Sequence, residues 1–256
     1  MSVWLTIPSK RPPEEAEKVL KLWRERGYRI ALYCDPNGDD VRAKSEKAHH
    51  ITVTETYPGY ANAVNTLIRK AIDRVADAEW FIAAGDDVEP DPNKSAEEIA
   101  RECNDYFYSL NSGNREMIAD YWTTFGVMQP TGDRWGDHGD GKGAYIDRVC
   151  GSAWIGREFA RRMYQGKGPL WPEYWHMFVD EELQEVAKKY GVLWQRPDLT
   201  QIHRHWGRGP DDDPNRIQAQ TKMPPFLVKA NEGFASARKL FNERKAAGFP
   251  GSEPIA

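Results

Sequence analysis

The 256-residue chain is short of several features that mark whole classes of protein. It has three cysteines, Cys34, Cys103 and Cys150, far apart and without a CxxC pair. Three cannot all pair with one another, which argues against a disulfide framework and for a reducing compartment. No apolar run approaches the roughly 18 residues of a membrane span. The opening MSVWLTIP has no basic segment ahead of a long apolar one, so no secretory signal is expected. Formal net charge is −4 and the isoelectric point about 5.9, so no global basic field announces a nucleic-acid binder, although a local patch would suffice. The sequence contains no GxxxxGKS/T, GxSxG or HExxH, and the segment Gly139–Gly143 matches no phosphate cradle. These absences weigh against P-loop kinases, serine hydrolases and zincins.

What is present is globular. Hydrophobic residues make up 40% of the chain and aromatic residues 12%, with ten tryptophans, enough for one large or two small packed domains. A soluble, cytoplasmic protein is expected.

Apolar runs over Val3–Ile7, Tyr28–Cys34, Ile51–Val53 and Trp80–Ala84 read as strands. Between them, Pro12–Arg26 has prolines and acids at its start and bases at its end, and Tyr60–Val75 has helical spacing; both read as helices. The first ~95 residues thus alternate strands and helices, the pattern of a parallel α/β sheet with right-handed crossovers. Ligands in such sheets sit at the carboxyl ends of the strands. Pro8-Ser9, Asp35 and Asp86-Asp87 each follow a strand and would share that rim.

Beyond residue 95 the spacing predicts a helix over Ala96–Leu110 and strands over Trp122–Gln129 and Val149–Ile155. Further expected elements are a helix from Arg157, another within Pro172–Tyr190, strands over Val192–Gln195 and Leu199–His205, and a helix over Ala230–Ala247 ending in a loose tail.

The sharpest clue is FIAAGDDVEP, Phe81–Pro90. An apolar run ends in two adjacent carboxylates with no basic residue beside them. A turn with two solvated acids would read the same way; so would a site for Mg²⁺ or Mn²⁺, hard cations that keep positions open for phosphate oxygens. Asp35 is an ordinary turn residue or an acceptor for a base or ribose. GYANAVN, Gly59–Asn65, opens a helix with small residues and two amides, which suits either close packing or anion binding at free N–H groups. His203 and His205 alternate on an expected strand and would face the same way, as a surface pair or as metal ligands. Asp180 opens the acidic run Asp180–Glu182, a solvated face or a general base. His176 would share its helical face if the helix were continuous.

Together these pieces resemble a GT-A-type glycosyltransferase, near the family 2 group, over Val3 to about His205. WLTIPSK (Trp4–Lys10) resembles the family's first strand and nucleotide loop, and GYANAVN its Gly-Lys-Ala-x-Ala-x-Asn helix start, with Tyr60 in place of the Lys. Gly85-Asp86-Asp87 occupies the place of the DxD motif, with Gly85 where the first Asp would stand. Asp180-Glu-Glu-Leu183 followed by Gly191 resembles the Asp-x-x-Leu helix, with Val179 where a Glu is usual.

The resemblance implies a single GT-A catalytic domain over 1–210. Its nucleotide-sugar half would span 1–95 and its acceptor half 96–210, with a helical extension and tail over 211–256. It implies a UDP-sugar donor such as UDP-glucose, held by Pro8, Ser9, Arg11, Asp35, Tyr60, Asn62, Asn65 and Asp86. It further implies a Mn²⁺ or Mg²⁺ ion on Asp87 with His203 or His205, and Asp180 as the base of an inverting displacement.

The acceptor would meet Arg134, Trp135 and Trp154, since aromatic faces bind sugar rings or bases and arginines bind phosphates. Segments 126–135 and 150–157 resemble phage-encoded transferases. This implies a hydroxymethylated base in DNA as one acceptor, and the host cytoplasm as location. A glycan or small-molecule acceptor, a metal-dependent nucleotidyltransferase or phosphoesterase, and a non-catalytic sugar- or nucleic-acid-binding module are the competing readings.

Overall fold

The computed structural model describes residues 1–34, 46–112, 123–135, 144–205 and 225–255. The strands are β1 (Ser2–Pro8), β2 (Arg29–Cys34), β3 (His50–Val53), β4 (Ala78–Ala83), β5 (Val88–Glu89), β6 (Val127–Pro130), β7 (Ala153–Gly156), β8 (Leu193–Arg196) and β9 (Ile202–His203). The helices are α1 (Pro13–Glu25), α2 (Tyr60–Arg74), α3 (Ala96–Asn111), α4 (Arg157–Gly166), α5 (Val179–Lys189), α6 (Pro225–Glu232) and α7 (Phe234–Ala246).

Seven strands form one sheet in the order β3-β2-β1-β4-β7-β6-β8. The first four are parallel, β7 runs antiparallel to both its neighbours, and β6 and β8 are parallel to each other. This is the expected α/β class with a mainly parallel central sheet.

The inner parallel strands β1, β2 and β4 are buried on both faces, which is why they read as unbroken apolar runs rather than alternating ones. Trp80, Phe81, Ile82, Leu5, Ile7 and Leu32 are fully buried. Each such side chain contributes roughly 1.5–3 kcal/mol through burial. The one hydroxyl inside β1 is satisfied: Thr6 Oγ1 donates to the Ile82 carbonyl at 2.9 Å. Helix α3 starts with a reciprocal Ser95–Glu98 capping box. Trp23 of α1 donates its indole N–H to the Val88 carbonyl at 2.7 Å, which fixes β5 against the first helix. All three cysteines are buried, and no described helix is long and apolar enough to cross a membrane.

Four expectations need correction. The helix expected within 172–190 begins only at Val179, after Phe178 in a left-handed conformation (φ 68°). His176 therefore precedes the helix and shares no helical face with Asp180. The strand expected over 199–205 is reduced to Ile202–His203. The C-terminal helix is two helices meeting at Gly233. The tail is not loose: the Gln165 N–H donates to the Glu253 carbonyl (3.3 Å), the Ile255 N–H donates to the Arg162 carbonyl (3.0 Å), and Ser252 is buried.

Candidate functional site

Strand β4 carries the chain to Gly85-Asp86-Asp87 at the carboxyl rim of the sheet, beside the end of β1. The base missing from the local sequence comes from β1's loop. Arg11 Nε donates to Asp86 Oδ1 and Ser9 Oγ donates to Asp86 Oδ2, both at 2.9 Å. Burial raises the Asp86 carboxyl above its ordinary value, with Arg11 and the two hydrogen bonds opposing the rise. Asp87 points elsewhere. Burial would raise it too, but His203, Arg11 and His205 together outweigh that and hold it below the ordinary carboxylate range. Gly85 makes room for this arrangement: a Cβ there would lie 2.5 Å from Asp87 Oδ1.

His203 reaches Asp87 through a two-stranded ribbon that the sequence does not announce. β5 follows directly on Asp87 and pairs antiparallel with β9, with Val88 opposite His203. The Arg204 N–H donates to the Asp87 carbonyl at 2.8 Å, and the Arg204 guanidinium grips Glu89 through two bonds of 3.1 and 3.0 Å. His203 Nε2 then lies 3.4 Å from Asp87 Oδ1. Its backbone N–H is held by Asp133 Oδ2 at 3.0 Å. The His205 ring lies 5.1 Å from that of His203, and both pack on Trp135, at 4.6 and 5.4 Å. Trp135 in turn meets Tyr145 edge-on at 5.2 Å.

Asp180 arrives from the other half. The acidic run 180–182 fills the first turn of α5, where the helix dipole favours negative charge. The Cys150 N–H reaches the Asp180 carbonyl at 3.4 Å, and a Cβ on Gly151 would lie 3.9 Å from Asp180 Oδ2. These residues precede β7, the strand hydrogen-bonded to β4, so Asp180 lies on the same rim as Asp87. Both carboxylates act on the same two side chains: the charges of Asp180 and Asp87 bear on Tyr60 and on His176. Burial holds the Tyr60 hydroxyl well above its ordinary value and depresses His176 despite the two carboxylates, so both are neutral near pH 7. Beside Asp180, burial first and then the charge of Asp180 push the Glu181 carboxyl far up.

Several expected ligands are committed to holding the chain instead. The Asn65 side-chain N–H donates to the Leu170 carbonyl (2.7 Å), and the Leu170 N–H donates back to Asn65 Oδ1 (3.2 Å). Asn62 Nδ2 donates to the carbonyls of Pro58 (3.3 Å) and Pro172 (2.8 Å), and the Tyr60 N–H donates to the Trp175 carbonyl at 2.6 Å. The start of α2 is thus a clamp on segment 170–175, and the amides expected to bind nucleotide are saturated by backbone carbonyls. Gly59 (φ 91°) permits this approach; a Cβ there would lie 2.7 Å from the Trp175 carbonyl oxygen.

Trp154 is likewise not on the acceptor side. It sits in β7, fully buried, packs edge-on against Tyr28, and donates to Gln201 Oε1 at 2.6 Å. Arg134 is half-exposed and bound to both Asp147 oxygens (3.0 and 2.8 Å). Pro8 ends β1. Asp35 lies outside the described residues.

Two aromatic residues that the sequence reading passed over pack together near the rim: Tyr57 lies edge-on against Trp175 (5.7 Å) and against Tyr33 of β2 (6.4 Å), while His176 packs on Tyr60 at 5.7 Å. Tyr57 and Trp175 carry no charge and sit in loops, so neither periodicity nor motif marks them; Glu181 was visible only as part of an acidic run.

Among the described residues, no three His, Cys, Asp or Glu side chains form a metal cluster. Asp87 and His203 nevertheless fit a divalent ion as a pair. A carboxylate oxygen and an imidazole nitrogen 3.4 Å apart are the mixed donor set that Mn²⁺ accepts, with the remaining positions left to water or phosphate oxygens.

No protein-family profile matches the chain, and no curated protein matches it. Among the solved structures that are similar, three are as follows. The catalytic domain of Drosophila β1,4-galactosyltransferase 7, solved with xylobiose, is 14% identical at a TM-score of 0.45, over 88% of this chain and 81% of that one. A glycosyltransferase involved in glycosylating the major capsid of PBCV-1 is 12% identical at 0.31, over 62% and 61%. A protein described as a nucleotide-diphospho-sugar transferase, from Desulfovibrio desulfuricans G20, is 9% identical at 0.39, over 93% and 98%. At these identities and scores the likeness says nothing about activity, and the functional reading rests on the residues of the rim.

Proposed function

We propose that the chain is a GT-A-type glycosyltransferase that moves a sugar from a UDP-sugar to an acceptor hydroxyl, with inversion. The observation that carries this reading is that Asp87, 3.4 Å from His203, and Asp180, 93 residues later and held beside the residues that precede β7, stand on the same carboxyl rim of a mainly parallel sheet. A metal-binding carboxylate that neutralises the leaving group and a second carboxylate free to take a proton are the two groups a single displacement uses.

Asp87 and His203 would hold Mn²⁺ or Mg²⁺. When bound, the ion offsets the negative charge of the diphosphate leaving group. Arg11, fixed by Asp86, adds a positive charge on the same side. Asp180 takes the proton of the acceptor hydroxyl as its oxygen attacks C1 of the sugar, while the bond from C1 to the diphosphate oxygen breaks. Trp135 and Tyr145 flank the acceptor approach.

The test is UDP release from UDP-glucose with Mn²⁺, by the wild type and by Asp87→Ala, with and without chelator. Release that ignores both the metal and the substitution overturns the reading. For the acceptor, hydroxymethylated and unmodified duplex DNA are compared with a panel of glycans. Nucleoside mass spectrometry with no mass gain on any modified base removes the DNA acceptor and leaves the donor half untouched.

A further inference from the structure

The acidic run on α5 contains one carboxylate that faces away from the cleft. Glu182 is fully buried and takes three donors: Arg244 Nη2 at 2.7 Å, Arg244 Nε at 2.8 Å and the Tyr174 hydroxyl at 2.9 Å. Arg244 comes from α7, is itself almost wholly buried, and lays its guanidinium 3.6 Å from the centre of the Trp171 ring. A buried pair of this kind is weak evidence for stability, because desolvation offsets its attraction, but it fixes geometry well.

The same helix also grips the other side of Asp180. Phe178, held left-handed at φ 68°, packs its ring between Phe241 of α7 (5.4 Å, interplanar 25°) and Phe234 (5.1 Å). A non-glycine residue keeps such a conformation only when its surroundings over-determine it. Farther along α5, Lys245 pairs with Glu185 at 3.1 Å and Lys189 donates to the Gly248 carbonyl at 2.8 Å.

We propose that Arg244 and Phe241 are positioning residues for Asp180: the C-terminal helix fixes the first turn of α5 from both sides and so sets the direction of the catalytic carboxylate. Arg244 holds residue 182 and Phe241 holds residue 178, with Asp180 midway between. The C-terminal segment then belongs to the catalytic unit rather than being an appendage to it. This inference rests on the role of Asp180 in the glycosyltransferase reading.

The experiment compares full-length wild type with Arg244→Ala, Arg244→Lys, Phe241→Ala and Glu182→Gln. Two readouts are taken: amide hydrogen exchange, and UDP release from UDP-glucose with Mn²⁺ resolved into kcat and KM. The Ala variants are expected to lose exchange protection over 178–184 while β1 and β4 keep theirs. A misplacement of the base on the order of 1 Å is expected to lower kcat about 100-fold, with KM for UDP-glucose unchanged. Arg244→Lys, which keeps the charge without the fork, is expected to recover part of kcat. If Arg244→Ala does not fold, Glu182→Gln and Phe241→Ala carry the same expectation.

Retained protection over 178–184 with kcat near wild type overturns the proposal. So does a loss of kcat matched by a rise in KM, which would make these contacts general supports of the fold. A wild type that releases no UDP defeats the glycosyltransferase reading instead, while hydrogen exchange still decides whether Arg244 and Phe241 hold this turn.

Discussion

His203 Nε2 lies 3.4 Å from Asp87 Oδ1, although 116 residues separate them in sequence. The short β5–β9 ribbon makes that meeting by pairing Val88 with His203, and the imidazole that contacts Asp87 is that of His203. Asp87→Ala is expected to reduce Mn²⁺-dependent UDP release by about 10²–10³-fold, the scale of losing a preorganised electrostatic contact at the reacting centre. His203→Ala is expected to raise the Mn²⁺ concentration needed for half-maximal rate more than His205→Ala does. A titration of rate against Mn²⁺ for the three variants checks the order.

Asp180→Asn keeps the shape of the side chain and removes its ability to take a proton. If Asp180 is the base, kcat falls by about 10²–10⁴-fold, the usual worth of general-base assistance. KM for the UDP-sugar is then expected to stay the same, because the proposed reading gives donor binding to Asp87, His203 and Arg11. A parallel rise in KM would assign Asp180 to donor binding.

Asn65 makes the opposite case, a residue of structural weight that resembles a ligand. Removing its amide leaves the buried N–H and carbonyl of Leu170 without partners, which costs roughly 2–4 kcal/mol. Asn65→Ala is therefore expected to lower the urea midpoint markedly, while the kcat of the molecules that remain folded stays near wild type. Urea unfolding beside active-site-normalised kinetics separates the two effects.

The contrast between Asp87 and Asn65 marks how far the sequence could be read. Strands β1, β2 and β4 and helices α1, α2 and α3 were legible because burial on both strand faces and one helix face leaves a periodic trace. The Asp86-Asp87 rim and Asp180 were legible as carboxylates out of place after an apolar run or at a helix start. Which polar groups were already taken was not legible. Asp86 is matched by Arg11, 75 residues earlier, and Asn65 by the backbone of Leu170, 105 residues later. The ribbon that carries His203 consists of two-residue strands, too short for any period. Trp154 looked like an exposed ring because aromatic content alone does not say which side of a sheet is buried.

Glu181 supplies a pH dependence with a definite sign. Burial first, then the charge of Asp180, raises its folded-state carboxyl far above the ordinary 4.5. The native state therefore binds this proton more tightly than the unfolded chain. The stabilisation is fully present below about pH 4.5 and is lost as pH rises towards the folded-state value. Glu181→Gln imitates the protonated side chain and removes the dependence. Relative to wild type, this variant is expected to gain stability steadily between pH 5 and pH 9. Urea unfolding at several pH values measures it, and a difference that does not change with pH would mean that Glu181 keeps an ordinary carboxyl in the folded protein.

Gly85 gives the strictest test of the rim, because there stability and activity should part company. A methyl group at residue 85 would lie 2.5 Å from Asp87 Oδ1, and Oδ1 is the free end of a side chain that can swing aside. Gly85→Ala should therefore fold with little loss, within about 0.5 kcal/mol, since no backbone or core atom has to move. The carboxylate, however, would be displaced from the position in which it meets His203. Mn²⁺-dependent UDP release is expected to fall towards the level of Asp87→Ala, while the urea midpoint stays near that of the wild type. If Gly85→Ala were fully active and fully Mn²⁺-dependent, Asp87 would not need the position it occupies here, and the Asp87–His203 pair would not be the ion's seat.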